Sequence, residues 1–318
     1  MILVTGGTGF IGGHLLDRLA GAGELVRALV RRKTVLPPGV EAVSGDLASG
    51  EGLAEAVQGA DTIIHIAGVI KALAPRDYYR GNTQATENLA RAAVGKGIRF
   101  VHVSTLAVCG PCPAECALDE DADPRPVSHY GKSKLEAERA VRSLLPDSVI
   151  VRPPVVYGPR DTGVFPLLKS ISRGVVLQIS GGERWFSLIY VHDLVDGILA
   201  AARSPQAAGR TYFLSHPKPL NWSDLGDTAA RLMRREPRVL RVPLTVAYGA
   251  GWLAEAWSAI TRTPGIVSRE KVREAGYARW VCDPRRASAE LGFEAKTSLD
   301  AGLLATLAWY KEAGWVKY

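Results

Sequence analysis

MILVTGGTGFIGGHLLDRL, residues 1–19, sets an apolar run, Ile2 to Thr5, directly against glycines at Gly6, Gly9 and Gly12. Beyond the glycines, Phe10, Ile11, Leu15, Leu16 and Leu19 recur with helical period. A short buried strand, a tight turn and an amphipathic helix together form a phosphate-binding element of the dinucleotide type. Gly6 permits the turn, Gly9 lets the backbone approach a pyrophosphate, and Gly12 lets the helix pack closely on the strand. The helix N-terminus adds unpaired N–H groups and a partial positive charge. Gly6, Gly9, Phe10, Ile11 and Gly12 are therefore candidate cofactor contacts. A glycine-rich turn alone is weak evidence; the strand before it and the helix after it give it weight.

Outward from this element, short β-branched runs alternate with helix-period segments as far as residue 155, the pattern of parallel βαβ units. Strands are expected at Ile2–Thr5, Leu25–Val30, Glu41–Ser44, Thr62–Ile66, Arg99–Ser104 and Ser148–Arg152. Helices are expected over 10–22, 51–58, 83–96 and 129–145. Right-handed crossovers make these a Rossmann-type, doubly wound α/β sheet with its crevice at the strand C-termini. Residues 1–155 are read as the dinucleotide-binding domain. A strand at Ser187–Val191, a helix at Asp193–Arg203 and a strand at Thr211–Leu214 bring 187–215 back to it. Residues 156–186 and 216–318 are read as a discontinuous, mostly helical substrate lobe. Within that lobe, VPLTVAYGAGWLAEAWSAI (242–260) is strongly apolar, carries Trp252 and Trp257, and is too short to span a bilayer. Plain packing of the lobe is its expected role, with a membrane-surface anchor or a pocket lid as alternatives.

The 318 residues carry 39 Lys/Arg against 32 Asp/Glu, a net +7, but no long basic run. A phosphate-rich cofactor explains part of the excess; nucleic acid is not an expected partner, and no segment is long enough to span a membrane. Met1 leads straight into the first strand, so a cytoplasmic location is expected. Cys109, Cys112 and Cys116 lie close together in CGPCPAEC, but the fourth cysteine, Cys282, is far off in sequence. Reduced thiols without a metal are expected, with a redox disulfide as the alternative.

YGKSK at 130–134 carries the chemistry, with Ser128 as N-cap and a good helix behind it. A spacing of four places Tyr130 and Lys134 on one helix face. A lysine ammonium, helped by the charge of an oxidised nicotinamide, is expected to lower the tyrosine pKa from its ordinary value near 10. Upstream, the strand RFVHVS ends at Ser104-Thr105, which puts hydroxyls in the same crevice.

In combination these motifs resemble the extended short-chain dehydrogenase/reductases, the family of nucleotide-sugar epimerases and dehydratases, 3β-hydroxysteroid dehydrogenases and dihydroflavonol reductases. TGGTGFIG matches the family's cofactor loop. GDL at 45–47 resembles the segment beside the adenine, implicating Asp46 and Leu47. HIAG at 65–68 resembles the nicotinamide-side stretch, with Ile66, Ala67 and Gly68. NTQATENL resembles the helix beginning at Asn82, with Ala85 in the usual glycine place. VSTLAVCG at 103–110 puts Val103 at the cofactor, Thr105 in the catalytic Ser/Thr position and Cys109 where tyrosine is usual. RPPVVYGP at 152–159 adds Pro153 and Val156. The resemblance implies a catalytic set of Thr105, Tyr130 and Lys134, with Asn82 ordering a water behind them. It also implies a homodimer through the helices at 83–96 and 129–145, for which Leu135, Val141 and Leu144 are available.

The second strand ends in RALVRRKT, with Arg31 and Arg32 and no acid to bind a ribose 2′-hydroxyl. NADP is therefore the expected cofactor, and NAD remains open. Leu106 and Ala107 stand where sugar dehydratases carry an Asp-Glu pair, which argues against that reaction. Phe186 and Ser187 stand where nucleotide-sugar enzymes commonly show Arg and Asp, with Arg184 displaced by two. The reading is an NADP-dependent oxidoreductase acting on a secondary alcohol or ketone of a largely apolar small molecule. A nucleotide-sugar epimerase is the alternative. A catalytically dead, cofactor-sensing regulator is a third possibility, against which both Tyr130 and Lys134 are retained.

Overall fold

The computed structural model describes residues 1–113, 115–263, 265 and 268–318. The first half runs β1 (Ile2–Thr5), α1 (Phe10–Gly21), β2 (Val26–Val30), β3 (Val40–Ser44), α2 (Leu53–Ala56), β4 (Thr62–His65), α3 (Pro75–Tyr78), a π-helical turn (Tyr79–Gln84), α4 (Ala85–Ala93), β5 (Arg99–Val103), α5 (His129–Leu144) and β6 (Val149–Val151). The second half runs β7 (Val155–Tyr157), α6 (Phe165–Ser172), β8 (Val175–Ile179), β9 (Trp185–Phe186), β10 (Leu188–Tyr190), α7 (Val191–Arg203), β11 (Thr211–Tyr212), β12 (Leu220–Asn221), α8 (Trp222–Leu232), β13 (Arg238–Val242), α9 (Leu244–Thr261), α10 (Arg269–Gly276), β14 (Arg279–Trp280), α11 (Arg285–Leu291) and α12 (Leu299–Glu312).

Seven strands form one parallel sheet in the order β11, β6, β5, β4, β1, β2, β3. Its strands are apolar on both faces because helices cover both. Val4, Ile64 and Val101 point to one core with Leu15, Leu16 and Leu19 of α1 and Ile198 of α7. Their neighbours Leu3, Ile63 and Phe100 point to the other, with Leu89 of α4 and Val141 of α5. The strand order reverses between β1 and β4, which opens the crevice at their C-terminal ends. This is the expected Rossmann-type sheet.

Three expectations change in the structure. Within 187–215, β11 joins the main sheet and α7 packs on it, but Leu188–Tyr190 pairs with Val155–Tyr157 in a separate two-stranded sheet. The helix expected over 83–96 begins at Pro75 and passes through the π-turn, a geometry that turns Asn82 inward. The residues offered for a helix-bundle dimer are not an outward face: Val141 is fully buried against the sheet, Leu144 packs beside it, and Leu135 is buried.

The lobe has its own apolar core, built from Leu168 of α6, Leu225 of α8, Tyr190 of β10 and Leu303, Leu307 and Tyr310 of α12. Among the described residues, α9 contributes to none of the molecule's apolar cores. Its packing in the lobe is on α10, which approaches it at Gly251 and pairs with it through Glu255.

Candidate active site

The cofactor loop follows from its glycines. Gly6 has φ +75°, the left-handed region, and a Cβ there would lie 2.6 Å from Ala67 N. A Cβ on Gly12 would overlap the Gly6 carbonyl oxygen, so α1 packs against the loop itself more than against the strand. Gly9 is the N-cap of α1 and supplies no side-chain acceptor. The first-turn N–H groups are thus open to an anion, at the point where the β1 loop meets Ile66 and Ala67 after β4. Arg31 and Arg32 follow β2 and are exposed. Asp46 follows β3; its Oδ1 accepts from Ala48 N at 2.7 Å and from Ser49 N at 3.2 Å, and so shapes its own loop. Leu47 packs toward the sheet, and its carbonyl accepts from Asn88 Nδ2. Val103 and Pro153 are buried beside the crevice, and Val156 lies on β7. The residues present fit a bound dinucleotide: the first turn of α1 has no side-chain cap at its N-terminus, and Ser104 Oγ at the end of β5 is buried without a protein partner among the described residues.

The reacting groups come from β5 and α5. Ser128 caps α5 by accepting from Gly131 N at 3.2 Å, which sets the helix start and brings Tyr130 against Thr105. The Thr105 hydroxyl accepts from Ala107 N at 3.2 Å and sits near enough to the Tyr130 phenol to act on its pKa. Lys134 is buried one turn on; its Nζ donates to Val103 O at 2.8 Å and lies 3.3 Å from His102 Nε2. A turn further, Glu138 holds Arg152 in a buried bidentate pair at 3.0 and 2.6 Å. Burial pushes the Lys134 ammonium down to about 8, opposed by Glu138.

One expectation for this cluster changes. Lys134 does not lower the Tyr130 phenol: burial pushes it up to about 12, Thr105 opposes the rise, and Glu274 and Tyr78 add to it. Lys134 points its charge at Val103 O and His102 instead. The Asn82 side chain joins two segments beside the pair. Its Oδ1 accepts from Val69 N at 2.7 Å, and its Nδ2 donates to Val69 O at 3.0 Å and Ser133 Oγ at 2.9 Å. Asn82 therefore clamps the loop after β4 onto α5. Gly68 sits between them, where a Cβ would meet Asn82 Oδ1 at 3.1 Å and Lys134 Nζ at 4.0 Å.

Several neighbours carry no signal in the sequence. His102 and His65 stack at 5.2 Å beneath the site, with His65 held between Thr5 Oγ1 and Thr86 Oγ1. From the lobe, Lys271 of α10 places Nζ 5.5 Å from the Tyr130 ring centre, and Glu270 accepts from His129 N at 2.9 Å. No local pattern relates residues 141 positions apart. A cavity of about 470 Å³ runs from this corner between Tyr78, His129, Tyr248 and α10. Cys109 and Cys282 share a small apolar cluster, and burial raises their thiols to about 11 and about 12. Among the described residues the cysteines are free, and no group of side chains could hold a metal.

This arrangement matches known proteins along its whole length. A ceramide reductase of Caulobacter vibrioides (strain NA1000 / CB15N) is 34% identical over 320 residues, 99% of this chain and 96% of that protein. A 4-hydroxy-2-methyl-3-oxo-4-farnesyl-3,4-dihydroquinoline-1-oxide ketoreductase of Stigmatella aurantiaca is 31% identical over 317 residues, 94% of this chain and 93% of that protein. Among solved structures, MoeE5 in complex with UDP-glucose and NAD superposes with TM-score 0.80 at 26% identity, covering 98% of this chain and 99% of that one. The profile of the NAD dependent epimerase/dehydratase family matches residues 2–214, the cofactor loop and the Tyr130–Lys134 pair included. The chain therefore belongs to that family, the NAD(P)-binding, extended short-chain dehydrogenase/reductases that its motifs resemble.

Proposed function

We propose that the protein is an NADPH-dependent ketoreductase acting on a largely apolar small molecule. The observation that carries the substrate class is the fate of Arg184. Its guanidinium donates to the carbonyls of Ile179 (2.8 Å), Ser180 (2.9 Å) and Gly182 (3.0 Å), so it ties a turn together and is not free to hold a diphosphate. The adjacent positions are the buried Phe186, stacked on Trp222, and the buried Ser187. The two relatives described above are named for reducing hydrocarbon-rich molecules, a ceramide and a farnesyl quinoline oxide.

When bound, the reduced nicotinamide supplies a hydride to the carbonyl carbon. This chain's residues deal with the oxygen. A phenol held near 12 enters the reaction protonated, so Tyr130 donates its proton as the alcohol forms, and the Thr105 hydroxyl orients the carbonyl. Lys134, fixed by Val103 O and His102, is the residue that would hold the cofactor ribose through its ammonium. Arg31 and Arg32 meet a 2′-phosphate, which selects NADPH. The loop residues Gly6, Gly9, Phe10, Ile11 and Gly12 hold the pyrophosphate, while Asp46, Ile66, Ala67, Gly68, Val103, Pro153 and Val156 line the rest of the crevice.

The test is NADPH consumption by purified protein over a panel of long-chain and aromatic ketones beside UDP-sugars. Net oxidation of NADPH by an apolar ketone is the expected result. Isomerisation of a UDP-sugar without net cofactor consumption would instead establish the epimerase reading that the likeness to MoeE5 with UDP-glucose favours.

A further inference from the structure

Helix α9 has its amphipathicity inverted. Its inward positions Leu244, Tyr248, Gly251, Glu255 and Ser258 follow the helical period, and they include the helix's one charged residue. Glu255 receives Arg269 N at 2.8 Å and Arg269 Nε at 2.6 Å, and Gly251 lets α10 approach closely. The outward face carries no charge. Trp252 is 58% exposed, Leu253 63%, Trp257 67% and Ile260 76%, with Val246 on the same outward side. An apolar face of this extent on an 18-residue helix, about 27 Å long, needs a covering.

The surrounding charge says what covers it. From Arg231 to Arg279 the chain holds ten Lys/Arg against four Asp/Glu, so this stretch carries six of the molecule's net seven positive charges. Exposed arginines stand at both ends of the helix: Arg238 and Arg241 just before it, Arg262 just after it. Two such surfaces brought together in a symmetric dimer would repel, whereas an anionic bilayer meets both the apolar face and its basic rim. Exposed tryptophans suit the headgroup boundary, where the ring is buried and the indole N–H stays wet.

We propose that α9 is a monotopic docking surface by which the protein lies on an anionic membrane. No helix among the described residues is long and apolar enough to cross a membrane, so the helix lies in the interface plane. Its opposite side lines the 470 Å³ cavity through Tyr248 and Glu255, and Tyr78 in that cavity stands 6.3 Å from the Tyr130 ring. A lipid carbonyl leaving the bilayer beside α9 thus enters a cavity whose wall, Tyr78 and His129, adjoins Tyr130. Only this last step, the nature of what is delivered, rests on the ketoreductase reading.

The experiment is co-sedimentation of the full chain, without cofactor or substrate, with vesicles of equimolar phosphatidylglycerol and phosphatidylcholine and with vesicles of phosphatidylcholine alone. Binding to the anionic vesicles is expected, weakened by salt. The combined variant Trp252→Gln, Trp257→Gln, Ile260→Gln should lose it about tenfold or more at an unchanged melting temperature. Arg241→Gln with Arg262→Gln should weaken it by a smaller factor. Failure of the unaltered protein to bind, or undiminished binding by the triple variant, overturns the proposal. A dimer in light scattering that the triple variant dissolves also overturns it, because a second copy then covers α9. Turnover of a soluble ketone without vesicle binding would sink docking alone; vesicle binding with no ketone reduced would sink the ketoreductase reading alone.

Discussion

Helices α5 and α9 depart from an ordinary surface helix in opposite directions: α5 buries polar groups beside its apolar ones, and α9 leaves apolar ones exposed. On α5 the inward face carries Ser133, Lys134 and Glu138, all buried, each with a partner. On α9 the outward face carries Trp252, Leu253, Trp257 and Ile260, all exposed. A buried polar group costs stability unless it is paired, and exposed tryptophan gains nothing from water. Neither arrangement is explained by folding alone, and each lies where a contact is proposed: a cofactor and carbonyl at α5, a membrane surface at α9.

Substitutions separate the two. Tyr130→Phe should lower the rate of ketone reduction about a thousandfold, near 4 kcal/mol of barrier, with folding and NADPH binding intact. Steady-state kinetics beside a cofactor titration checks this; a rate within a few-fold of the parent would remove Tyr130 from the chemistry. Arg152→Met leaves Glu138 buried without its cation and should cost about 3 kcal/mol of stability in denaturant melts, which no change on the outer face of α9 approaches. Arg31→Ser with Arg32→Ser should weaken NADPH about ten- to thirtyfold and leave NADH nearly unaffected, since charge-assisted bonds to a phosphate are lost. Equal loss for both cofactors would mean these arginines only shape the turn.

The pH profile tests α5 without mutation. Lys134 acts as an ammonium and is held at about 8, so the rate of reduction should be flat below neutrality. It should fall about tenfold per unit above pH 8 as that proton leaves. The phenol, at about 12, stays protonated throughout and contributes no limb in this range. A profile flat to pH 10 would contradict the burial-lowered lysine. The smallest effect is expected on α9: Trp257→Gln should change stability by less than about 0.5 kcal/mol, because an exposed side chain has little packing to lose.

Legibility in the sequence followed the range of the interactions. The glycine loop, the strands β1 to β6, and the Tyr130–Lys134 spacing are local patterns, so composition and period reveal them. The sheet that β10 joins is not legible, because its run Leu188–Tyr190 is apolar whichever sheet receives it. The bonds of Asn82 are not legible either, because its amide partners, Val69 and Ser133, come from different segments. The approach of Lys271 and Glu270 to α5 joins residues 141 positions apart and leaves no periodic trace.

By itself the sequence determined the Rossmann-type sheet, the glycine loop and the Tyr130–Lys134 spacing, because backbone sterics and residue period act within a few positions. The tertiary structure decided the protonation of Tyr130 and Lys134, the commitment of Asn82 and Arg184, and the direction in which α9 faces. Each of these depends on which distant segments exclude water from a group, and desolvation is a property of the assembled fold.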